Sequence, residues 1–127
     1  MSEVRGASKE ISGRLLDFAT AVLALSNRMG RTVSGRYLAN QLVRAACSAG
    51  ANYQESRGAE SRADFVHKMH IVLKELRESL YWLTLVERSR IVSDDSVSSL
   101  VCEADELVSI LVKALVTAKS RGFASGT

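Results

Sequence analysis

The chain contains no proline among its 127 residues, where average usage would give about six. Proline interrupts helices and punctuates loops, so its absence favours long uninterrupted helices. It argues against a loop-rich β-sandwich, a proline-rich linker or a disordered scaffold. The length suits a single domain over residues 1–127 that is large enough to bury a core.

Apolar residues recur at spacings of three and four over four stretches, and no strand pattern competes. We predict helices at residues 8–27, 35–57, 61–88 and 94–119, with a frayed tail at 120–127. Ser61 and Ser93 are the predicted N-caps of the third and fourth helices. Short connections between four amphipathic helices predict an all-α, antiparallel up-down-up-down four-helix bundle.

The third predicted helix is apolar on more of its surface than one bundle core requires. Tyr81 and Trp82 lie where it is most apolar, so we expect them to pack in the protein or at a subunit interface. Their apolar neighbours argue against the exposure that stacking on a nucleic-acid base would need.

The positive charges are unevenly distributed in a chain of net charge +3. No acidic residue occurs between Phe18 and Gln54, a stretch that includes the candidate nucleic-acid-binding residues Arg28, Arg31, Arg36 and Arg44. The alternative is that these arginines are ordinary surface residues. If Arg44 pairs with Glu75 or Glu78, the basic band is smaller.

Two short sequence patterns are candidates for a metal site and for a catalytic site. His67 and His70, with Asp64, have spacing that suits a metal, but no further clear ligand is present and we predict neither a metal nor a cofactor. Arg62 and His67 have the Arg-x4-His spacing of HEPN-type helical ribonucleases. Without other catalytic motifs, we expect the chain to be non-catalytic.

The N-terminus is polar and no apolar run approaches the length of a membrane span. Cys47 and Cys102 lie in apolar helical contexts, and we interpret them as reduced core thiols in a cytoplasmic protein.

Three stretches carry a family resemblance, namely QLVRAACSAGANYQE at 41–55, RGAESRADF at 57–65 and IVLKELRESLYWL at 71–83. Together they resemble the four-helix-bundle proteins encoded by reading frames in intervening sequences of bacterial 23S rRNA genes. That family commonly has Asn-Ile-Ala-Glu-Gly where this chain has Asn52-Tyr-Gln-Glu-Ser56, so Asn52 and Glu55 match and the glycine is lost.

The resemblance implies a small bacterial bundle that assembles into a ring-like homopentamer. It also implies a relationship to accessory variability proteins of diversity-generating retroelements, which bind a reverse transcriptase and nucleic acid. We assign an interface or structural role to a second group of residues: Asn52, Glu55, Arg62, Glu75, Glu78, Tyr81 and Trp82.

Three functional hypotheses therefore remain open. The first is a non-catalytic homo-oligomer that binds RNA or DNA, or a nucleic-acid enzyme such as a reverse transcriptase. The second is a structural or protein-interaction scaffold without nucleic-acid binding. The third is a HEPN-like ribonuclease that uses Arg62 and His67.

Overall fold

The protein is built from four α-helices. The computed structural model describes residues 2–125, with side chains described from residue 10 to residue 121. The helices are α1 (Ser2–Ser26), α2 (Val33–Arg57), α3 (Arg62–Ser89) and α4 (Asp95–Ser125). No strand occurs among the described residues, so the predicted all-α fold class is confirmed. No helix in that part of the chain is long and apolar enough to cross a bilayer.

The helices pack in a ring. Each helix contacts the next one along the chain, and α1 also contacts α4. Along α2 and α3, Arg44 pairs with Glu78 whereas the later residue Glu55 pairs with the earlier residue Lys68. The same reversed order relates α1 to α4, where Arg14 pairs with Glu103 and Arg28 with Asp94. Reversed order is the pattern of neighbouring helices that run in opposite directions.

The core is formed where the four apolar stripes meet. In α2 the inward residues Ala45, Ala46 and Ala49 have no accessible surface, and their small size lets α1 and α3 approach α2 closely. The other helices supply larger buried side chains: Leu15, Phe18 and Val22 from α1, Val72, Leu76 and Leu83 from α3, and Ala104, Leu107 and Leu111 from α4. These residues belong to the stripes that the sequence periodicity predicts.

Short side chains cap the helix starts. The Ser61 hydroxyl accepts a hydrogen bond from the Asp64 amide at 3.0 Å, which confirms Ser61 as the N-cap of α3. The predicted cap of α4 is wrong by one residue. Helix α4 begins at Asp95, and the Asp94 carboxylate, not Ser93, accepts from the Ser96 amide at 3.0 Å.

The helix ends differ from the sequence prediction at both termini. Helix α1 already begins at Ser2, and α4 continues to Ser125 where we expected fraying from residue 120. No proline interrupts either segment, so the helical hydrogen bonding continues. Residues 126–127 of the expected tail lie outside the described residues.

Gly35 lies where the first turn of α2 packs against the turn between α1 and α2. A Cβ atom at this position would lie 2.0 Å from the Met29 carbonyl oxygen and 3.0 Å from the Thr32 Oγ1. Thr32 caps α2 by accepting from the Gly35 amide at 2.9 Å. The first turn of α2 therefore packs directly on the backbone of the preceding turn, and only glycine fits there.

We expect Gly35→Ala to destabilise the protein by about 1–3 kcal/mol, because the new methyl group meets backbone that must move. Thermal or denaturant unfolding measures this loss. Gly30→Ala in the same turn is the matched control: a Cβ there meets nothing within 4 Å. We expect the control to change stability by no more than about 0.5 kcal/mol. Equal effects of the two substitutions would contradict this account of Gly35.

Candidate interaction surfaces

Arg28 is held in an ion pair at one end of the bundle. Its guanidinium donates to the Asp94 carboxylate and to the Ser96 hydroxyl, the latter at 3.2 Å. Hydrogen bonds from Ser96, together with the one from Arg28, lower the pKa of Asp94 to about 2. This predicted nucleic-acid-binding residue therefore fastens the end of α1 to the start of α4.

Arg44 forms a second cluster, between α2 and α3. It donates to Glu78 at 2.7 Å, and a nitrogen of the same guanidinium lies 3.7 Å from Glu75. The hydrogen bond to Glu78 raises the pKa of Arg44. Burial favours a higher pKa for Glu78, but the hydrogen bond from Arg44 leads the effects that outweigh it, and the pKa lies below its usual value. One arginine thus serves two carboxylates.

Arg31 and Arg36 have no ion pair with the described residues, so their charges are available to a binding partner. Both are exposed, in the turn before α2 and in its first turns. Arg36 donates only to the Gly30 carbonyl oxygen, at 3.3 Å, and Arg31 forms no side-chain hydrogen bond or ion pair with the described residues. The predicted basic band is therefore reduced to these two arginines, with Arg28 and Arg44 in ion pairs.

Arg14 is an ion-pairing residue that the sequence analysis missed. It donates to Glu103 at 2.7 and 3.0 Å and lies 3.1 Å from Glu106, which joins α1 to α4. The hydrogen bond to Glu103 raises the pKa of Arg14. The partners lie 89 residues apart in the chain, so no local pattern indicates the pair.

An apolar surface covers the outside of α2 and α3. We call it the aromatic surface and define it by five side chains: Val33, Tyr37, Tyr81, Trp82 and Leu85. The Trp82 ring lies edge-on to Tyr37 and to Tyr81, with centroid distances of 6.0 and 5.1 Å. Tyr81 is 61% exposed and Tyr37 is 56% exposed. Tyr81 is thus exposed in the single chain, contrary to the low exposure that its apolar neighbours suggested, and its place at a subunit interface stays a prediction.

Two buried polar atoms beside this surface lack a partner within the described chain. They are Oε1 of Glu75, a residue only 8% exposed, and Nε1 of Trp82. The Trp82 N–H contributes to the lowered pKa of Glu78 but meets no acceptor in hydrogen-bonding geometry. An unpaired buried polar atom is costly, so each of these atoms is expected to gain a partner, which a water molecule can supply.

A second apolar surface, the α1–α2 groove, runs between the first two helices. Its exposed apolar side chains are Leu16 and Leu23, its floor includes small residues such as Ala51, and Arg57 lies at its edge. Cys47 also lines the groove. Cys47 and Cys102 are free but exposed, so the predicted core location is wrong. Cys47 follows the buried Ala46, and a step of about 100° per residue turns its thiol outward.

The other residues of the predicted interface group, Asn52, Glu55 and Arg62, form contacts within the chain. Asn52 donates to the Ser48 carbonyl oxygen at 2.9 Å within α2, and Glu55 pairs with Lys68 at 3.2 Å. Arg62 reaches the Ala118 carbonyl oxygen at 3.5 Å.

The two histidine hypotheses gain no supporting contact. His67 is exposed and has no side-chain hydrogen bond to the described residues. Within residues 10–121, no group of three His, Cys, Asp or Glu side chains is arranged to hold a metal ion.

Comparisons with known proteins agree with this architecture. A sequence profile described as 23S rRNA-intervening sequence protein matches residues 9–113. A crystal structure from Bacteroides thetaiotaomicron VPI-5482, described as a protein with unknown function from the S23 ribosomal protein family, is similar with a TM-score of 0.77. It is 30% identical in sequence and covers 83% of this chain and 97% of its own. Among curated proteins, none matches this chain.

We expect the stabilising effect of Asp94 to disappear in acid. Its pKa is 3.8 without these partners and about 2 in the folded protein, so the stability it contributes is present above pH 4 and lost as the pH falls towards 2. Asp94→Asn should lower the unfolding midpoint at neutral pH and make progressively less difference in that acid range.

Unfolding curves between pH 7 and pH 2 test this expectation. Asp105→Asn is the matched control, because Asp105 is exposed and forms no side-chain hydrogen bond or ion pair with the described residues. A difference between wild type and Asp94→Asn that stays constant down to pH 2 would contradict the proposed linkage.

Proposed function

The chain belongs to the family of 23S rRNA-intervening sequence proteins, and we propose that it is a non-catalytic bundle that functions as a closed homo-oligomer. Five copies is the number that the family resemblance implies. The aromatic surface of one copy would dock in the α1–α2 groove of the next. The two exposed free thiols suit a reducing compartment, so we place the protein in the cytoplasm.

The distribution of exposed apolar side chains is the observation that carries this proposal. Among the described residues, seven large apolar side chains are exposed. Six of them lie on the two surfaces: Val33, Tyr37, Tyr81 and Leu85 on the aromatic surface, and Leu16 and Leu23 at the groove. Apolar side chains clustered in this way are typical of a protein interaction site rather than of a free surface.

Charge also matches between the two surfaces. The Arg44 cluster has two carboxylates and one guanidinium, so negative charge is in excess there. Arg57 at the groove is exposed and has no ion pair with the described residues. Arg57 of the partner subunit would supply a positive charge opposite this cluster.

The arrangement favours a ring over a symmetric dimer. A two-fold dimer requires the aromatic surface of each copy to reach the groove of the other at the same time, whereas a head-to-tail contact pairs one of each and leaves one of each free. Such head-to-tail contacts close into a ring when the rotation between copies allows it. The two surfaces lie on different sides of α2 and thus permit this mode of assembly.

We expect Leu16→Asp, in the groove, and Tyr37→Asp, on the aromatic surface, each to convert the oligomer to a monomer. Each places a charge in one of the two proposed contact surfaces and leaves the other intact. A mixture of the two variants should form a one-to-one heterodimer and nothing larger, because only one productive contact remains. Light scattering after size-exclusion chromatography, or native mass spectrometry, measures these masses.

Val116→Asp is the control for the added charge. Val116 is 62% exposed on α4 and lies outside both surfaces, so this variant should keep the wild-type mass. A monomeric wild type would refute the assembly. A dimer formed by Leu16→Asp alone would show that the aromatic surface pairs with itself.

A second candidate function is contact with nucleic acid or with a nucleic-acid enzyme such as a reverse transcriptase. The observation that supports it is the pair of exposed, uncompensated arginines Arg31 and Arg36 at one end of the bundle. An oligomer repeats such a pair in every subunit, which strengthens a weak electrostatic contact. A scaffold that lacks this function would retain no nucleic acid at low salt.

We expect the double variant Arg31→Glu/Arg36→Glu to weaken binding to labelled RNA and DNA in a gel shift across a salt series. Arg28→Gln is the matched control, because the Arg28 charge is already paired with Asp94. It should affect stability more than affinity. Unchanged binding in the double variant would exclude this pair as a contact.

A further inference from the structure

We propose that the outer face of α3, rather than the pair Arg31 and Arg36, is the main surface that binds the phosphate backbone of a nucleic-acid duplex. This inference deepens the second candidate function and rests on it. The face has five defining side chains, which we call the basic stripe: His67, His70, Lys74, Arg77 and Arg88.

Helical spacing places these residues in one row. Successive steps of three, four and three residues lead from His67 through His70 and Lys74 to Arg77, and Arg88 follows three turns later. All five are exposed. From the first to the last, the row extends about 30 Å along the helix at 1.5 Å per residue.

The positive charges of the stripe are not neutralised within the chain. Lys74, Arg77 and Arg88 form no ion pair with the described residues. The acidic side chains in the middle of α3 are buried or already paired. Glu75 is buried and Glu78 bonds to Arg44.

The two acidic residues near the ends of α3 also accept hydrogen bonds. The Asp64 carboxylate accepts from the Glu60 amide at 3.4 Å, and Glu87 accepts from the Ser98 hydroxyl at 2.9 Å. The row therefore offers three full charges and two imidazoles without a competing carboxylate in the same line.

The shape of the stripe favours a polymeric anion. None of the five residues lines the aromatic surface or the α1–α2 groove, and a small phosphate compound needs a concave site. Between His67 and Arg77 no large apolar side chain is exposed, whereas Tyr81 and Leu85 of the aromatic surface lie between Arg77 and Arg88. The stretch from His67 to Arg77 therefore lacks the apolar anchor of a membrane-bound helix and lies outside the subunit contact proposed above. A duplex presents regularly spaced phosphates along such a stretch.

The acidic groups of another copy are a less suitable partner. Glu103 and Glu106 are held by Arg14, and Asp94 is held by Arg28. Asp95 and Asp105 are the acids of that segment without an ion pair among the described residues, and they lie ten residues apart rather than in a row. A nucleic acid keeps all of its charges available for the stripe.

The triple variant Lys74→Gln/Arg77→Gln/Arg88→Gln tests the proposal. Fluorescence anisotropy with a labelled DNA duplex and a labelled RNA duplex is measured across a potassium chloride series. We expect at least about tenfold weaker binding at low salt and a salt slope for DNA that is smaller by about 3, since each lost phosphate contact contributes about 0.9.

Lys113→Gln/Lys119→Gln/Arg121→Gln is the matched control. It removes the same charge from exposed residues of α4 that point to different sides of the helix. We expect it to change affinity much less than the stripe variant does. Circular dichroism and the oligomer mass confirm that both variants keep the fold and assembly of the wild type.

Each alternative result contradicts the proposal in a different way. If the stripe variant binds as well as the control while Arg31→Glu/Arg36→Glu does not bind, the contact lies on α2 and the second candidate function survives alone. If wild type binds neither duplex, both fail and the assembly is unaffected. If polyglutamate displaces the wild type from DNA as well as unlabelled duplex does, the stripe serves an acidic protein.

Discussion

The alanine face of α2 sets the helix spacing on which the rest of the bundle depends. Ala45, Ala46 and Ala49 have no accessible surface, and α2 packs against both α1 and α3 through this face. Small side chains bring the neighbouring backbones close. The exposed Tyr37 and the partly buried Trp82 lie at the edge of the α2–α3 pair, where a second subunit would cover them.

Ion pairs between helices decide which charges remain available to a partner. Arg28 and Arg44 belong to the acid-free segment of the sequence, yet each is matched by a carboxylate from a distant part of the chain. A charge count along the sequence does not include such pairs, because they depend on which helix faces lie together. Among the described residues, Lys74, Arg77 and Arg88 form an unpaired positive row on α3, whose sequence has alternating signs and no evident basic run.

The sequence predicts the features that depend on helical periodicity. It does not predict contacts between side chains that are distant in the sequence. Leu15, Phe18 and Val22 follow the periodicity and are buried as expected. Cys47 is apolar in its sequence context but points outward, which its angular position relative to Ala46 and Ala49 already indicates and which the composition of its neighbours obscured. The pairing of Arg14 with Glu103 links the two ends of the sequence and has no local signature.

The two proposed surfaces have consequences for each other. Tyr81 lies four residues after Arg77 and seven before Arg88, so part of the aromatic surface lies within the row of the basic stripe on α3. In a ring built through the aromatic surface, every subunit contact would bring one stripe beside the next subunit and repeat it around the assembly. A short row of charges binds phosphate weakly, but several linked rows act at high effective concentration. Assembly would then supply the affinity that one chain with a net charge of +3 lacks, and the function of this small bundle would lie between subunits.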